Sequence, residues 1–192
     1  MILAPGSFVR VGMLLLLAVV LQLSGFSQLG ILGGHLDLVV LSVAAVAFYA
    51  GSITGSATGF AAGFLLDLLS GATMGVSSLV LTAVGYGVGR FREVRDPSHG
   101  LLPLAVGAAA TGGFVVAFAA VSFMLDVGAS VSPLVIRDAI VTTLLNVLLA
   151  LPVFAGVRRL LRPALKVDPL DARRRRRPPR ESGPLGLRGL EV

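Results

Sequence analysis

The sequence has no cysteine, a single lysine and few charged residues, and each shortage excludes a class of function. Without cysteine the chain forms no disulfide, attaches no haem through thioether bonds and has no thiol nucleophile. The lysine is Lys166, which lies in the basic C-terminal segment, so a Ser-x-x-Lys nucleophile is excluded. Charged residues make up 14% of the chain, whereas soluble domains carry about 25%. With 55% hydrophobic residues, the chain is predicted to be an integral membrane protein.

Metal ligands and catalytic groups are also scarce. His35 and His99 fall in loops that we predict on opposite sides of the membrane, so they cannot share a metal ion, and no H-E-x-x-H motif or Walker loop occurs. The titratable residues considered for an enzyme site on one side of the membrane are Asp67, Asp126, Arg137 and Asp138. Because none of them is placed as a general base, we expect no enzyme activity, no metal site and no cofactor.

The positive charge is concentrated at the C-terminus. The stretch from Arg158 to Val192 holds eleven basic and four acidic residues, and the other 157 residues hold five basic and six acidic ones. Residues 166–192 are rich in Arg, Pro and Gly, and we predict a disordered basic cytoplasmic tail. Three roles are open for these charges: contact with anionic lipid, docking of an acidic partner, and nucleic acid binding. We favour lipid contact, made by Arg158, Arg159 and Arg162, and expect no nucleic acid because no aromatic residues are interleaved.

Six apolar segments predict an all-α, polytopic membrane bundle over residues 1–165. Residues 36–90 could hold two long spans or three short ones, since a span needs roughly 17 to 25 helical residues. Basic segments remain in the cytoplasm, and three spans place Arg10, the loop that begins at Arg90 and the tail on one side. Both termini are therefore predicted to be cytoplasmic. The predicted spans are 8–23, 36–50, 51–69, 74–89, 101–123 and 135–157, with Pro133 at the start of the last helix.

Glycine recurs at every fourth position from residue 51 to residue 75, except that Asp67 takes the fifth place in this register. Residues four apart lie on one face of a helix, and small residues at this spacing let two helix backbones touch in lipid. We predict that this face binds a helix of a partner protein. The alternative is the ordinary glycine enrichment of membrane helices. The predicted partner-binding residues are Gly51, Gly55, Gly59, Gly63, Asp67, Gly71 and Gly75.

Four polar residues lie in or beside the predicted spans. Asp67 is either a functional carboxylate or a cap of the turn that ends at Gly71, and both readings stay open. Arg137 and Asp138 are predicted to form a local interfacial pair, and a further hypothesis pairs Arg137 with Asp67. Asn146 is expected to form an interhelical hydrogen bond, and a substrate contact is the alternative.

The glycine-rich block resembles the bacterial rod-shape-determining MreD family. The resemblance rests on Gly55, on Gly59-Phe60, on the run from Gly63 to Gly71, on Gly75, and on Tyr86 with Gly89. Leu144-Leu145-Asn146 before Leu151-Pro152 and the basic residues that follow resemble the last helix of that family. Together these features extend the resemblance over residues 8–165, short of the Arg/Pro-rich tail.

The resemblance implies a non-enzymatic scaffold in the cytoplasmic membrane of a bacterium. MreD-like proteins associate with the bitopic protein MreC, and through it with MreB and the peptidoglycan synthases of lateral wall growth. The family is also similar to the six-helix substrate-capturing subunits of vitamin transporters. A small-molecule-binding transporter subunit is therefore the alternative function, and it predicts a ligand near Asp67, Arg137 and Asn146.

Overall fold

The computed structural model describes residues 5–26, 35–71, 73–94, 102–125 and 133–161 of the chain. These residues form six α-helices and no strand, and a π-helical turn, Gln22–Phe26, extends the first helix. The prediction of an all-helical protein with six helices is confirmed. The helices are α1 (Pro5–Leu21), α2 (Leu38–Ala50), α3 (Ser52–Ser70), α4 (Val76–Val94), α5 (Leu102–Met124) and α6 (Pro133–Leu161).

Three helices are long and apolar enough to cross a membrane, namely α3, α5 and the stretch Arg137–Leu161 of α6. The apolar parts of α1 and α2 are shorter. The fourth helix extends past its predicted end at residue 89 to Val94, so its last turns carry charged side chains. The predicted start of the sixth helix at Pro133 agrees with the structure. Arg162 and the predicted tail, 166–192, lie outside the described residues.

Helix α2 forms the centre of the bundle. It has 13 residues, and nearly all of them are buried, as expected for a helix that is apolar on every side. All five other helices pack against it. At 1.5 Å per residue α2 spans about 20 Å, less than the roughly 30 Å hydrocarbon core of a bilayer. Helix α2 is therefore shorter than such a core is thick.

Helices α3 and α4 form an antiparallel hairpin in which the two backbones are in direct contact. A Cβ atom added to Gly59 would collide with the carbonyl group of Leu81, and one added to Gly63 would collide with the backbone of Ser78. The contact is reciprocal, because a Cβ added to Gly85 of α4 would collide with the carbonyl group of Gly55. Packing this close is available only to glycine, and it fixes the position of α4 on α3.

We predict that Gly59→Ala destabilises the protein. The added methyl group must displace the backbone of α4, and overpacking of this kind costs about 1–3 kcal/mol. The matched control is Gly112→Ala in α5, because a Cβ atom at Gly112 meets nothing within 4 Å and gains helix propensity. The melting temperatures of both variants are measured by thermal unfolding of the purified proteins in detergent, with circular dichroism as the readout. Equal melting temperatures for the two variants would contradict the backbone contact.

Candidate functional site

The predicted glycine face divides into two parts in the structure. Gly55, Gly59 and Gly63 are buried in the middle of α3, where α4 of the same chain covers them. The prediction that this face is open to a helix of another protein is therefore corrected, since the face is already filled. The remaining glycines are at helix ends: Gly51 joins α2 to α3 with φ +95°, and Gly71 ends α3 in the left-handed conformation with φ +66°.

Asp67 caps the start of α4. Its carboxylate Oδ2 accepts hydrogen bonds from the backbone N–H of Gly75 at 2.8 Å and of Ser78 at 3.4 Å. A carboxylate at this place satisfies N–H groups that have no partner inside the helix and complements the positive end of its dipole. Asp67 is thus a cap, but of the following helix and not of the turn that ends at Gly71, for which the cap was predicted. Both of these hydrogen bonds come from backbone groups, and the Asp67–Arg137 pair stays a hypothesis.

Glu93 makes the corresponding cap at the opposite end of the hairpin. Its Oε1 accepts hydrogen bonds from the Ser52 backbone N–H at 2.9 Å and from the Ser52 hydroxyl at 2.8 Å, which caps the start of α3. These bonds, with a smaller contribution from Arg90, lower the pKa of Glu93 below its ordinary value. Each helix of the hairpin therefore supplies the carboxylate that caps the other. Sequence analysis missed Glu93, although it is an isolated acid among the arginines that follow the fourth span.

A polar network surrounds the first residues of α2. Asn146 of α6 is fully buried, accepts a hydrogen bond from the Asp37 backbone N–H at 3.0 Å, and donates one to the Thr111 hydroxyl of α5 at 3.1 Å. One turn earlier in α6, the Thr142 hydroxyl accepts a hydrogen bond from the His35 backbone N–H at 3.0 Å. The interhelical hydrogen bond expected of Asn146 is thus present, and its partners are α5 and the segment before α2.

Gln22 extends this network to the π-helical turn after α1. Its Nε2 donates a hydrogen bond to Asp37 Oδ1 at 3.1 Å, and its Oε1 accepts one from the Val39 backbone N–H at 2.9 Å. The first N–H groups of a helix have no partners inside it, and the bond from Val39 supplies one at the start of α2. Sequence analysis missed Gln22, Asp37 and Thr111. The one signal available in the sequence was Asp37, an acid at the start of the second apolar segment.

A second row of small residues lines an open groove between α4 and α5. Ala105, Ala109, Gly113 and Ala117 recur at every fourth position of α5. They face Ala83 and Gly87 of α4 across a cavity of about 550 Å³, and Val88 and Phe91 add larger apolar walls. A Cβ atom added to Gly87 or Gly113 would meet nothing within 4 Å. This row has the same spacing as the glycine row of α3, but among the described residues no helix covers it.

The family model described as rod shape-determining protein MreD matches residues 5–162 of the chain. The chain belongs to the MreD family. The match covers all six helices, and it confirms the resemblance found in the sequence. No curated protein and no solved structure matches the chain.

Membership in the MreD family assigns the chain to the bacterial machinery that determines rod shape. Proteins of this family are structural membrane proteins and are not known as enzymes. In the part of the chain that the structure describes, no three His, Asp or Glu side chains come together as a metal site would require. The resemblance to vitamin-transporter subunits stays a prediction, since no solved structure supports it.

The residues predicted to lie near a transported ligand take part in different hydrogen bonds in this MreD-family protein. Asp67 is committed to the α3–α4 turn, whereas Asn146 belongs to the network around the start of α2. Arg137 is exposed and Asp138 half-buried near the start of α6. Arg158 and Arg159 lie exposed in the last turn of α6, at the end of the bundle that also carries Arg90.

We predict that Asn146→Leu destabilises the protein by about 1–3 kcal/mol, because the buried N–H of Asp37 loses its acceptor. The control is Thr143→Val, since the Thr143 hydroxyl donates only to the carbonyl of Ala139 in its own helix. Thermal unfolding in detergent measures both variants. The double variant Thr111→Val/Asn146→Leu tests the coupling of the two side chains. If its loss in free energy of unfolding equals the sum of the losses in the two single variants, the side chains are not coupled and the network is contradicted.

We predict that the cap made by Glu93 depends on pH. Because the folded state lowers the pKa of Glu93, its stabilisation is fully present above the ordinary value of 4.5 and is lost as the pH falls through the lowered pKa. Glu93→Gln keeps an acceptor for Ser52 but does not titrate. Melting temperatures between pH 7 and pH 3.5 should therefore fall more steeply for the parent protein than for Glu93→Gln. Parallel curves would rule out this contribution.

Proposed function

We propose that this protein is a non-enzymatic scaffold of the cell-elongation machinery, which docks the single membrane helix of an MreC-like bitopic protein in the groove between α4 and α5. Family membership supports the role in rod shape. The groove is the observation that carries the docking proposal, because it presents exposed small residues on both walls.

The lining of the groove favours a helix as its occupant. Helices in lipid associate by close van der Waals approach, and small residues at fourfold spacing permit that approach. From Ala105 to Ala117 the row covers about 18 Å of α5 at 1.5 Å per residue, which is more than three helical turns. The lining is apolar throughout, so it suits an apolar membrane span and offers no hydrogen bonds to a polar ligand.

The glycine row of α3 contributes to docking indirectly in this proposal. Gly85 and Gly89 of α4 pack against α3, and Gly87 between them faces the groove. Helix α4 is thus held by backbone contact on one side, which leaves its other side as a fixed wall for a partner. The partner-binding role predicted for Gly55, Gly59 and Gly63 therefore becomes the support of this wall.

The remaining partners follow from this arrangement. A docked MreC-like protein would link the bundle to MreB and to the peptidoglycan synthases, which we propose as indirect partners. Arg10, Arg90 and the basic C-terminal residues place both termini in the cytoplasm under the positive-inside rule. Anionic lipid is the proposed contact of the basic segment, and nucleic acid is not a proposed partner.

We predict that Gly113→Leu reduces co-purification of the MreC-like protein at least tenfold, because the new side chain fills the groove. The matched control is Gly112→Leu, since its added Cβ atom is equally unobstructed but Gly112 does not line the groove. Affinity purification from native bacterial membranes in mild detergent, with quantitative mass spectrometry, measures both.

Equal recovery with the two variants would contradict docking in the groove. Recovery of ATPase and coupling subunits together with a bound small molecule, in place of the MreC-like protein, would contradict the scaffold itself and favour a transporter subunit.

A further inference from the structure

A small cavity with a polar wall lies at the end of the bundle that carries the arginines. It has a volume of about 250 Å³ and is formed where α2 ends, α5 begins and α6 completes its last turns. Its lining combines the buried ring of Phe154 with the exposed residues Arg158 and Arg159. The lining includes Tyr49, Pro103, Leu151, Phe154, Arg158 and Arg159.

The polar side of the cavity carries positive charge without a matching acid. Arg158 and Arg159 are exposed, and neither forms a salt bridge with an acid of the described residues. Arg158 and Arg92 both lie close enough to Tyr49 to interact electrostatically with its phenol group. An anion in the cavity would therefore meet the guanidinium groups of Arg158 and Arg159. Guanidinium groups are strong hydrogen-bond donors to phosphate oxygens.

The helix ends at the cavity differ in sign: α5 begins there, whereas α6 ends there and Arg158 and Arg159 in its last turn offset its negative dipole end. Helix α5 begins at Leu102, so its first backbone N–H groups have no partners inside the helix and its positive dipole end lies at the cavity. The negative end of α2 is compensated, because Arg92 Nη1 donates a hydrogen bond to the Tyr49 carbonyl at 3.2 Å. The Arg92 guanidinium also lies over the Phe48 ring, 5.9 Å from its centroid.

We propose that this cavity binds the phosphate group of an anionic phospholipid, an inference that rests on the lipid contact proposed above for the basic segment and gives it a site. Arg158 and Arg159 would hold the phosphate oxygens, the Tyr49 hydroxyl would donate a further hydrogen bond, and an acyl chain would lie along Leu151 and Phe154. The positive-inside rule puts this end of the bundle at the cytoplasmic surface of the membrane, where such headgroups are found. The apolar wall favours a lipid over a free phosphate compound, although both present the same phosphate chemistry to the arginines.

The test compares two pairs of arginines in the full-length protein. Native mass spectrometry of purified protein measures retention of phosphatidylglycerol, with zwitterionic phosphatidylethanolamine as the reference lipid. Arg158→Gln/Arg159→Gln should weaken retention of phosphatidylglycerol at least about tenfold, since each charge-assisted hydrogen bond contributes that much or more. The control, Arg175→Gln/Arg176→Gln, removes the same charge from the C-terminal tail and should retain the lipid.

Two further variants separate recognition from general attraction. Tyr49→Phe removes only a hydroxyl and should weaken retention about two- to tenfold. Arg158→Lys/Arg159→Lys keeps the charge and should retain more lipid than the glutamine pair; these conservative variants also decide the matter if the glutamine pair fails to fold. Equal loss in the cavity and tail variants, or no effect of either, would overturn the proposal.

Inorganic phosphate at millimolar concentration tests the source of the phosphate group. If the bound group belongs to a lipid, inorganic phosphate should leave phosphatidylglycerol in place. The contrary result has two parts: inorganic phosphate raises the melting temperature of the parent protein but not that of Arg158→Gln/Arg159→Gln, and phosphatidylglycerol raises neither melting temperature. That result would overturn the lipid assignment in favour of a soluble phosphate compound.

Discussion

The backbone contact between α3 and α4 is the constraint on which the rest of this structure depends. In lipid the hydrophobic effect does not drive helices together, so a hairpin is held by van der Waals contact and by hydrogen bonds. Here Gly59 and Gly85 bring the two backbones together, and Asp67 and Glu93 cap the helix starts at either end. With α4 fixed in this way, its opposite side becomes the wall of the groove that it shares with α5.

The short central helix imposes a second requirement on the bundle. The first N–H groups of α2 have no partners inside the helix and need partners from its neighbours. Gln22 and Asn146 supply these partners from the π-helical turn and from α6. Buried polar side chains such as Asn146 and Thr111 thus join elements of the bundle to one another. This use agrees with a structural role in the MreD family and leaves the apolar surface for association.

The sequence predicted the number and order of the helices, because apolar length and the placement of arginines are properties of short segments. It could not predict which helix covers the glycine row, since spacing indicates a close neighbour but not whether that neighbour belongs to the same chain. The network around Asp37 was missed because it joins residues more than one hundred positions apart, such as Asp37 and Asn146. The α5 row was missed because alanine is common in membrane helices, and only the structure shows that Ala109 faces an open groove.

Photo-cross-linking in living cells tests the central claim most directly. A benzophenone amino acid would replace Ala109, on the wall of the α4–α5 groove, or Ala57, which is exposed on α3 away from that groove. The account predicts that irradiation links the chain to the MreC-like protein from position 109 and not from position 57. Cross-links from position 57 alone would show that a partner helix docks on α3, and would contradict the assignment of the groove.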